Sequence, residues 1–462
     1  MAGRQALDEI VKAYDVRGTV PDQFDGEVAY ALGVAFARFT GAGRVLVGRD
    51  MRPSGPELVG EFIRGLNEQG VDVTDLGLAS TDLVYYAAGA LDAPAAMFTA
   101  SHNPAQYNGV KFCLEGARPV GADTGLGDIH RLAAAVLDGA SPAPATRAGD
   151  CQSRDLLAAF ADHVVSFVDP AALRPMRVVA DTANGMGGLV VPAVFERLPG
   201  IELEVMYGEL DGTFPNHPAD PLQPANQRDV QARVVAGGFD VGLAFDGDAD
   251  RVFVVDEQGR GLNGSVTTAL LAVGVLRRHP GATILHNLIC SRSVPEVIRE
   301  HGGVPVRTRV GHSYIKQRML ETGAVFGGEH SAHYYFRDNY RADSGLIASV
   351  LVLAELSRGE TPLSELRLPF ERYASSGEIN THVDDVESVI DLVATEFAAY
   401  PQDRLDGLTV DCGAWWFNLR PSNTEPLLRL NLEAPNREDC DRHVADLLTI
   451  MTSTPSASRQ ED

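Results

Sequence analysis

The sequence predicts an α/β fold of three similar mixed α/β domains followed by a distinct α+β C-terminal domain. Three observations carry this: the length, an alternation of short apolar runs with helically spaced segments, and a dense polar cluster that returns three times. At 462 residues the chain exceeds the roughly 250–300 residues at which one hydrophobic core stops growing. Buried parallel strands are expected at 44–48, 95–99, 177–180, 241–245, 282–285 and 323–326, where apolar runs end at polar or Gly-rich loops. Between them, 56–66, 156–168 and 266–278 have helical spacing, as stacked α/β units require. In each of three regions one strand opens onto a polar loop and a later strand onto a denser cluster, at 99–108, 246–251 and 327–333. The simplest division is 1–150, 151–257 and 258–367, then a different unit over 368–453, with 454–462 a disordered tail by its Ser, Pro and charge content. The first border falls near the linker-like SPAPAT stretch at 141–146.

A formal charge of −24 repels polyanions, which argues against nucleic acid or an anionic membrane as the main partner. A phosphorylated substrate must then meet local basic residues. The five cysteines are scattered and contain no C-x-x-C pair, so neither a disulfide frame nor a zinc site is expected, and a reducing compartment fits. No apolar signal core opens the chain and no apolar stretch reaches about 18 residues, so a cytoplasmic protein is expected.

Asp246-Gly-Asp248-Ala-Asp250-Arg251 is the strongest metal signal, since three carboxylates at alternate positions can converge on one hard cation. As an EF-hand loop it fails at its sixth place, where Arg251 stands instead of Gly, and its flanks read as strands. As an aspartate-nucleophile motif it has the apolar strand and the D-x-D, but Asp250 stands where Thr or Val belongs. A solvated acidic turn leaves three carboxylates after a buried strand unexplained. A magnesium site fits best. The second cluster runs TASHNPAQYNGVK from Thr99 to Lys111. Ser101 read alone is a turn former or N-cap. A serine becomes a nucleophile only with help, and a phosphoserine needs a counter-ion. The two clusters explain each other if Asp246, Asp248 and Asp250 hold a cation that also binds a Ser101 phosphate.

TASHNP at 99–104, DGDADR at 246–251, GGEHSAH at 327–333 and RPSNTEP at 420–426, with KAYDVRG at 12–18 before them, stand in order along nearly the whole chain. Together they resemble the signature loops of the phosphomannomutase/phosphoglucomutase family, and the chain as a whole is similar to its bacterial phosphomannomutase members. The resemblance implies four domains around a central cleft and one Mg2+ per chain. It implies reversible exchange of hexose 6-phosphate and hexose 1-phosphate through a phosphoserine and a hexose 1,6-bisphosphate, feeding GDP-mannose synthesis. Residue by residue, Ser101 would be the phosphoserine and complete the metal shell of Asp246, Asp248 and Asp250, with Arg251 neutralising the phosphoryl group. Arg17, His102, Lys111 and His333 would act at the same centre, Lys111 or His333 moving the proton. Tyr14 and His312 would line the substrate site, Glu329 and Ser331 would grip ring hydroxyls, and Arg420, Ser422, Asn423 and Thr424 would hold the distal phosphate. Mannose is expected ahead of glucose, as a small-molecule sugar phosphate, and oligomeric state is not legible.

Two residues depart from the family pattern: Ile289 stands where a lysine precedes the Cys-Ser-Arg triplet, and Ala332 replaces a glycine of the sugar loop. They bear on substrate detail more than on reaction class. No G-x-x-x-x-G-K-[ST] loop offers a nucleotide donor, so the phosphoryl group must come from sugar or enzyme. An aspartate-based phosphatase would leave TASHNP and RPSNTEP without a task. A calcium- or sugar-binding protein conflicts with Arg251 in the acidic loop.

Overall fold

The computed structural model describes residues 2–12, 14–140, 145–383, 385–421 and 427–452. Three of its four sheets follow one plan. In the first, Asp72–Leu78, Arg44–Arg49 and Ala95–Phe98 run parallel, and Tyr107–Leu114 returns antiparallel to Ala95–Phe98. In the second, Ile201–Met206, Met176–Asp181 and Val241–Phe245 are parallel and Val252–Asp256 returns. In the third, Val304–Thr308, Thr283–Asn287 and Phe326–Gly328 are parallel and Tyr334–Phe336 returns. Each returning polar cluster is thus the same element, the loop between the last parallel strand and its antiparallel partner. It lies at the carboxyl end of a buried strand, where ligands gather in α/β sheets.

Two expectations shift. The strand expected at 323–326 is Phe326–Gly328, because Gly323 takes φ 67 and caps the helix His312–Thr322. The helix expected over 156–168 is Leu157–Val165. Cys151–Ser153 pairs with the first sheet and Gly261–Leu262 with the second, so the sheets end a few residues past 150 and 257.

The second and third sheets share one core with the first region's helix Thr81–Ala90. Helices Gly264–Arg278 and Gly345–Leu356 are buried on nearly all sides, which their apolar composition requires. The fourth sheet is antiparallel throughout, packs with helices Val386–Glu396 and Arg437–Thr452, and has its own core around Phe417, Leu430 and Leu447. Polar contacts join it to the third region: Arg292 Nη2 to Asp411 at 2.5 Å, Arg292 N to Glu433 at 2.9 Å and Val310 N to Asp406 at 3.1 Å. Polar junctions favour relative domain motion. None of the five cysteines is disulfide-bonded, and no helix among the described residues is long and apolar enough to cross a membrane.

Candidate active site

Ser101 sits on the first of the three loops, 4% exposed, with a left-handed φ of 48. Its N–H donates to Thr99 Oγ1 at 2.8 Å. Its Oγ donates to Asp246 Oδ2 at 2.7 Å and accepts from Arg251 Nη2 at 3.2 Å. Arg251 also binds Asp246 Oδ2 through Nε at 2.9 Å and donates to His102 Nδ1 at 2.6 Å. A guanidinium only donates, so Nδ1 accepts and His102 carries its proton on Nε2. Burial, then the Arg251 charge, push His102 well below its usual pKa and keep it neutral.

Asp246, Asp248 and Asp250 are almost fully buried, and one oxygen of each lies within 4.8 Å of the others. Lys111 Nζ donates to Asp248 Oδ2 at 2.8 Å and Asp250 Oδ2 at 2.7 Å, and Thr81 Oγ1 donates to Asp248 Oδ2 at 2.5 Å. Asp248 Oδ1 and Asp250 Oδ1 are buried with no hydrogen-bond partner. Each such oxygen costs about 1–3 kcal/mol unless something binds it. Three carboxylates, two open oxygens and an adjacent serine hydroxyl suit a hard divalent cation such as magnesium. Burial pushes Asp246 up to about 8. Asp248 is held well below the carboxylate range because the Lys111 ammonium and Thr81 hydroxyl overcome the penalty of burial. Burial opposes the Lys111 charge too, yet Asp248 and Asp250 hold it well above its usual pKa. A side chain at Gly247 would lie 2.4 Å from the Ser101 carbonyl oxygen, so only glycine lets the carboxylate loop rest against the serine loop.

The third loop adds His333, whose Nε2 is 3.8 Å from Asp250 Oδ1 and whose Nδ1 is 3.0 Å from Ser331 Oγ. Glu329 is 1% exposed, and its carboxylate accepts from Asn287 Nδ2 at 3.2 Å, Gly311 N at 3.1 Å and Tyr335 OH at 2.7 Å. Oε1 thus accepts twice and Oε2 once, which leaves Oε2 one acceptor site for a further hydroxyl. Ala332, the departure from glycine, takes φ 65, the left-handed region that glycine adopts without cost. Ile289 lines a cavity of about 290 Å³ between the third and fourth regions, with His330, Trp416 and Glu433.

Tyr14 meets His312 edge-on, with ring centroids 5.4 Å apart. Both His312 nitrogens are buried without a hydrogen-bond partner, and burial holds the ring well below its usual pKa, neutral. Arg17 binds Asn103 of the serine loop at 2.6 Å and Asp15 at 2.5 Å. Arg309 lies over the Tyr314 ring at 4.4 Å. In the fourth region Arg420 Nη2 binds Glu378 at 2.7 Å. Ser422, Asn423 and Thr424 lie outside the described residues, as does the tail 454–462.

Sequence reasoning missed Arg52, Thr81, Tyr335 and the buried ion pair of Lys316 with Asp343 at 2.8 Å. It also missed Asp82, which accepts from Ser80 at 2.5 Å and Ser344 at 2.7 Å. For Arg52 a signal existed: Asp50-Met-Arg52 follows a buried strand directly, at the first polar loop of its region.

Fold and site define a multidomain α/β enzyme whose centre joins one serine to a cluster of three carboxylates able to hold a cation. The phosphoglucomutase/phosphomannomutase alpha/beta/alpha domains I, II and III match residues 8–133, 158–260 and 263–373, and the C-terminal domain of the same family matches 378–450. The chain belongs to the phosphoglucomutase/phosphomannomutase family. It is 38% identical over 449 residues to a phosphomannomutase of Escherichia coli K12, covering 96% of this chain and 98% of that relative. It is 40% identical over 427 residues to the phosphohexose mutases of Xanthomonas campestris, covering 91% and 94%. A phosphoglucomutase/phosphomannomutase family protein of Burkholderia thailandensis superposes with a TM-score of 0.87 at 32% identity, covering 98% of this chain and 99% of that one.

Proposed function

We propose that this enzyme interconverts hexose 6-phosphates and hexose 1-phosphates, with mannose phosphates preferred, using Ser101 as phosphoryl carrier. The observation that carries the reading is the pair of contacts at Ser101 Oγ, 2.7 Å from Asp246 and 3.2 Å from Arg251 beside the carboxylate cluster. The preference for mannose follows relatives that are themselves phosphomannomutases. Asp246, Asp248, Asp250 and the Ser101 oxygen would hold Mg2+, which when bound supplies charge neutralisation at the transferring phosphoryl group. Arg251, which already donates to Ser101 Oγ, would bind that group, and neutral His102 accepts one of the guanidinium N–H groups and fixes its direction.

In the first half-reaction the bond from phosphorus to Ser101 Oγ breaks as a bond to the free sugar hydroxyl forms. Oγ keeps the electron pair, and the hydroxyl proton passes to a base. Lys111 is tied to two carboxylates as an ammonium, which suits it to stabilising charge. His333, facing Asp250, takes the role of base. In the second half Ser101 Oγ attacks the other phosphate of the 1,6-bisphosphate, its bond to the sugar oxygen breaks, and that oxygen keeps the electron pair and takes back the proton from the base, so neither water nor nucleotide is consumed. Arg420, Ser422, Asn423 and Thr424 hold the distal phosphate in both orientations. Tyr14 and His312 border the substrate, His312 offering one donor and one acceptor. Arg17 supports the serine loop through Asn103, and Glu329 and Ser331 meet the ring hydroxyls.

The test uses purified protein with mannose or glucose 1-phosphate, Mg2+ and a trace of hexose 1,6-bisphosphate, read by phosphorus NMR. Mass spectrometry should map a phosphoryl group to Ser101, and Ser101→Ala should be folded and nearly inactive. Activity within about tenfold of the parent would remove the serine as carrier.

A further inference from the structure

One buried guanidinium outside the reacting groups is saturated by the serine loop. Arg52 has no exposed surface. Its Nη1 donates to the carbonyls of Pro104 at 2.8 Å and Tyr107 at 2.9 Å, and its Nη2 to those of Ser101 at 2.9 Å and Asn103 at 2.7 Å. Its Nε donates to Asp50 Oδ2 at 3.2 Å, while its own N–H binds Asp50 Oδ1 at 3.0 Å. An arginine has five side-chain N–H donors, and here every one has an acceptor. Four of those acceptors are backbone oxygens spread along the loop that carries the serine.

We infer that Arg52 is a positioning residue for phosphoryl transfer, holding Ser101 Oγ in register with Asp246 and Arg251 by fixing the carbonyls of its loop. The inference rests on Ser101 being the phosphoryl carrier. Three features support it. The Ser101 backbone is in a left-handed conformation that costs a non-glycine residue about 1–2 kcal/mol, so something must hold it there. The Ser101 carbonyl that Arg52 binds is also the atom against which Gly247 of the carboxylate loop packs, so its position sets the spacing between nucleophile and metal ligands. The second region closes over Arg52, with the Phe214 ring 5.2 Å from the guanidinium carbon and a Gly212 whose added Cβ would lie 2.6 Å from Arg52 Cα. Thus the hold on the serine loop is registered against the region that supplies the carboxylates.

A lysine has three N–H donors and no planar fork. Arg52→Lys therefore leaves at least two of the five acceptors unpaired, at least one of them a buried carbonyl of the loop, while keeping the charge. A displacement of about 1 Å at a reacting group can cost on the order of 100-fold in rate. Arg52→Lys should lower kcat at least tenfold, by the same factor with hexose 1-phosphate and hexose 6-phosphate, and leave KM within about twofold. Phosphoryl transfer from hexose 1,6-bisphosphate to Ser101, followed by intact-protein mass spectrometry, should slow in parallel. Phe214→Leu is the control: it loosens the packing over Arg52 without touching any of the five bonds, so it should lose stability and keep kcat. If Arg52→Lys does not fold, Asp50→Asn takes its place, since it keeps the shape and weakens the Nε anchor, and kcat should again fall at constant KM. Serine phosphorylation at the parental rate in the folded variant, or a kcat loss matched by Phe214→Leu at equal loss of stability, overturns the inference. A parent enzyme that carries no phosphoryl group on Ser101 overturns the carrier assignment itself, a separate result.

Discussion

Removing the ammonium of Lys111 while keeping the length of the side chain, as Lys111→Met does, should destabilise the metal-free protein by about 3–5 kcal/mol, the cost of breaking a buried ion pair from one side. The geometry puts the value in that range. Nζ lies 2.8 Å from Asp248 and 2.7 Å from Asp250, and the three side chains are 7%, 0% and 2% exposed. Without Lys111, Asp248 keeps the Thr81 hydroxyl at 2.5 Å, and Asp250 keeps Arg251 at 4.0 Å and His333 at 3.8 Å. Magnesium should return most of the loss in the variant, because a divalent cation neutralises the same carboxylates, and less in the parent, where Lys111 already does so. A ligand at a hundredfold excess over its Kd stabilises by about 2.7 kcal/mol, so a tighter site in the variant is measurable as a larger gain. Urea unfolding in EDTA and in saturating Mg2+ is the assay. Far-UV circular dichroism must follow it, since both tryptophans, Trp415 and Trp416, lie in the fourth domain, away from the carboxylate cluster. Equal magnesium stabilisation of the two proteins, or a variant as stable as the parent in EDTA, would refute the reasoning.

Asp248→Asn should lose Mg2+ binding in calorimetric titration, because a neutral amide replaces one anionic ligand at constant size; parental affinity would remove Asp248 from the ligand set. Burial pushes Asp82 from the usual 3.8 up to about 7, so the folded state keeps a proton there that the unfolded chain has lost. Stability should fall as pH rises across that window, by at most about 1.4 kcal/mol per pH unit, and Asp82→Asn should flatten the slope. An unchanged stability profile in that variant would discharge Asp82 from the effect. Arg420→Lys keeps the charge and loses the fork, and should lower kcat/KM by about 10- to 100-fold with the 1-phosphate and 6-phosphate alike. A loss confined to one isomer would mean two separate distal pockets.

Much of this was legible in the sequence because the chemistry sits in local runs. A continuous apolar strand such as Val241–Phe245, buried at every residue, announces where it ends, and the carboxylates begin at the next residue. The parts that were not legible depend on distant partners. Arg52 acts on atoms 49 to 55 residues away, and Ser344 meets Asp82 across 262. Apart from the place of Asp50-Met-Arg52 directly after a buried strand, nothing near these residues distinguishes them from ordinary loop charges or a helix cap. The strand at Phe326–Gly328 was placed three residues early because Ala324 and Val325 are apolar, while the left-handed turn of Gly323 that ends the helix leaves no mark in hydropathy. The role expected of Glu329 rests on the resemblance of its loop, and a motif does not reveal that Asn287, Gly311 and Tyr335 already bind its carboxylate.

The three loops share more than position. Each holds a non-glycine residue in the left-handed region: Ser101 at φ 48, Ala249 at φ 62 and Ala332 at φ 65. At about 1–2 kcal/mol apiece, the three together take up a marked fraction of a domain's net stability. Such conformations persist only where surrounding contacts over-determine them, and here those contacts differ from loop to loop. Arg52 holds the first through four carbonyls. The second is closed by Ala249 N to Asp246 O at 3.2 Å, with the Cβ position of Gly345 3.1 Å from the Ala249 carbonyl oxygen. The third is closed by Ala332 N to Glu329 O at 3.0 Å and Glu329 N to His333 O at 3.0 Å. In all three the left-handed residue turns the chain from the parallel strand into its antiparallel return and leaves the neighbouring polar side chains at the strand end. One supersecondary unit, used three times, therefore presents Ser101, the three carboxylates and the Glu329–His333 groups at strand ends, the places where the proposed function puts its nucleophile, metal ligands and sugar contacts, and its rigidity accounts for keeping a strained backbone at all three. Relaxing any one turn would gain stability and cost the alignment of Ser101, Asp246 and His333 that the proposed transfer requires.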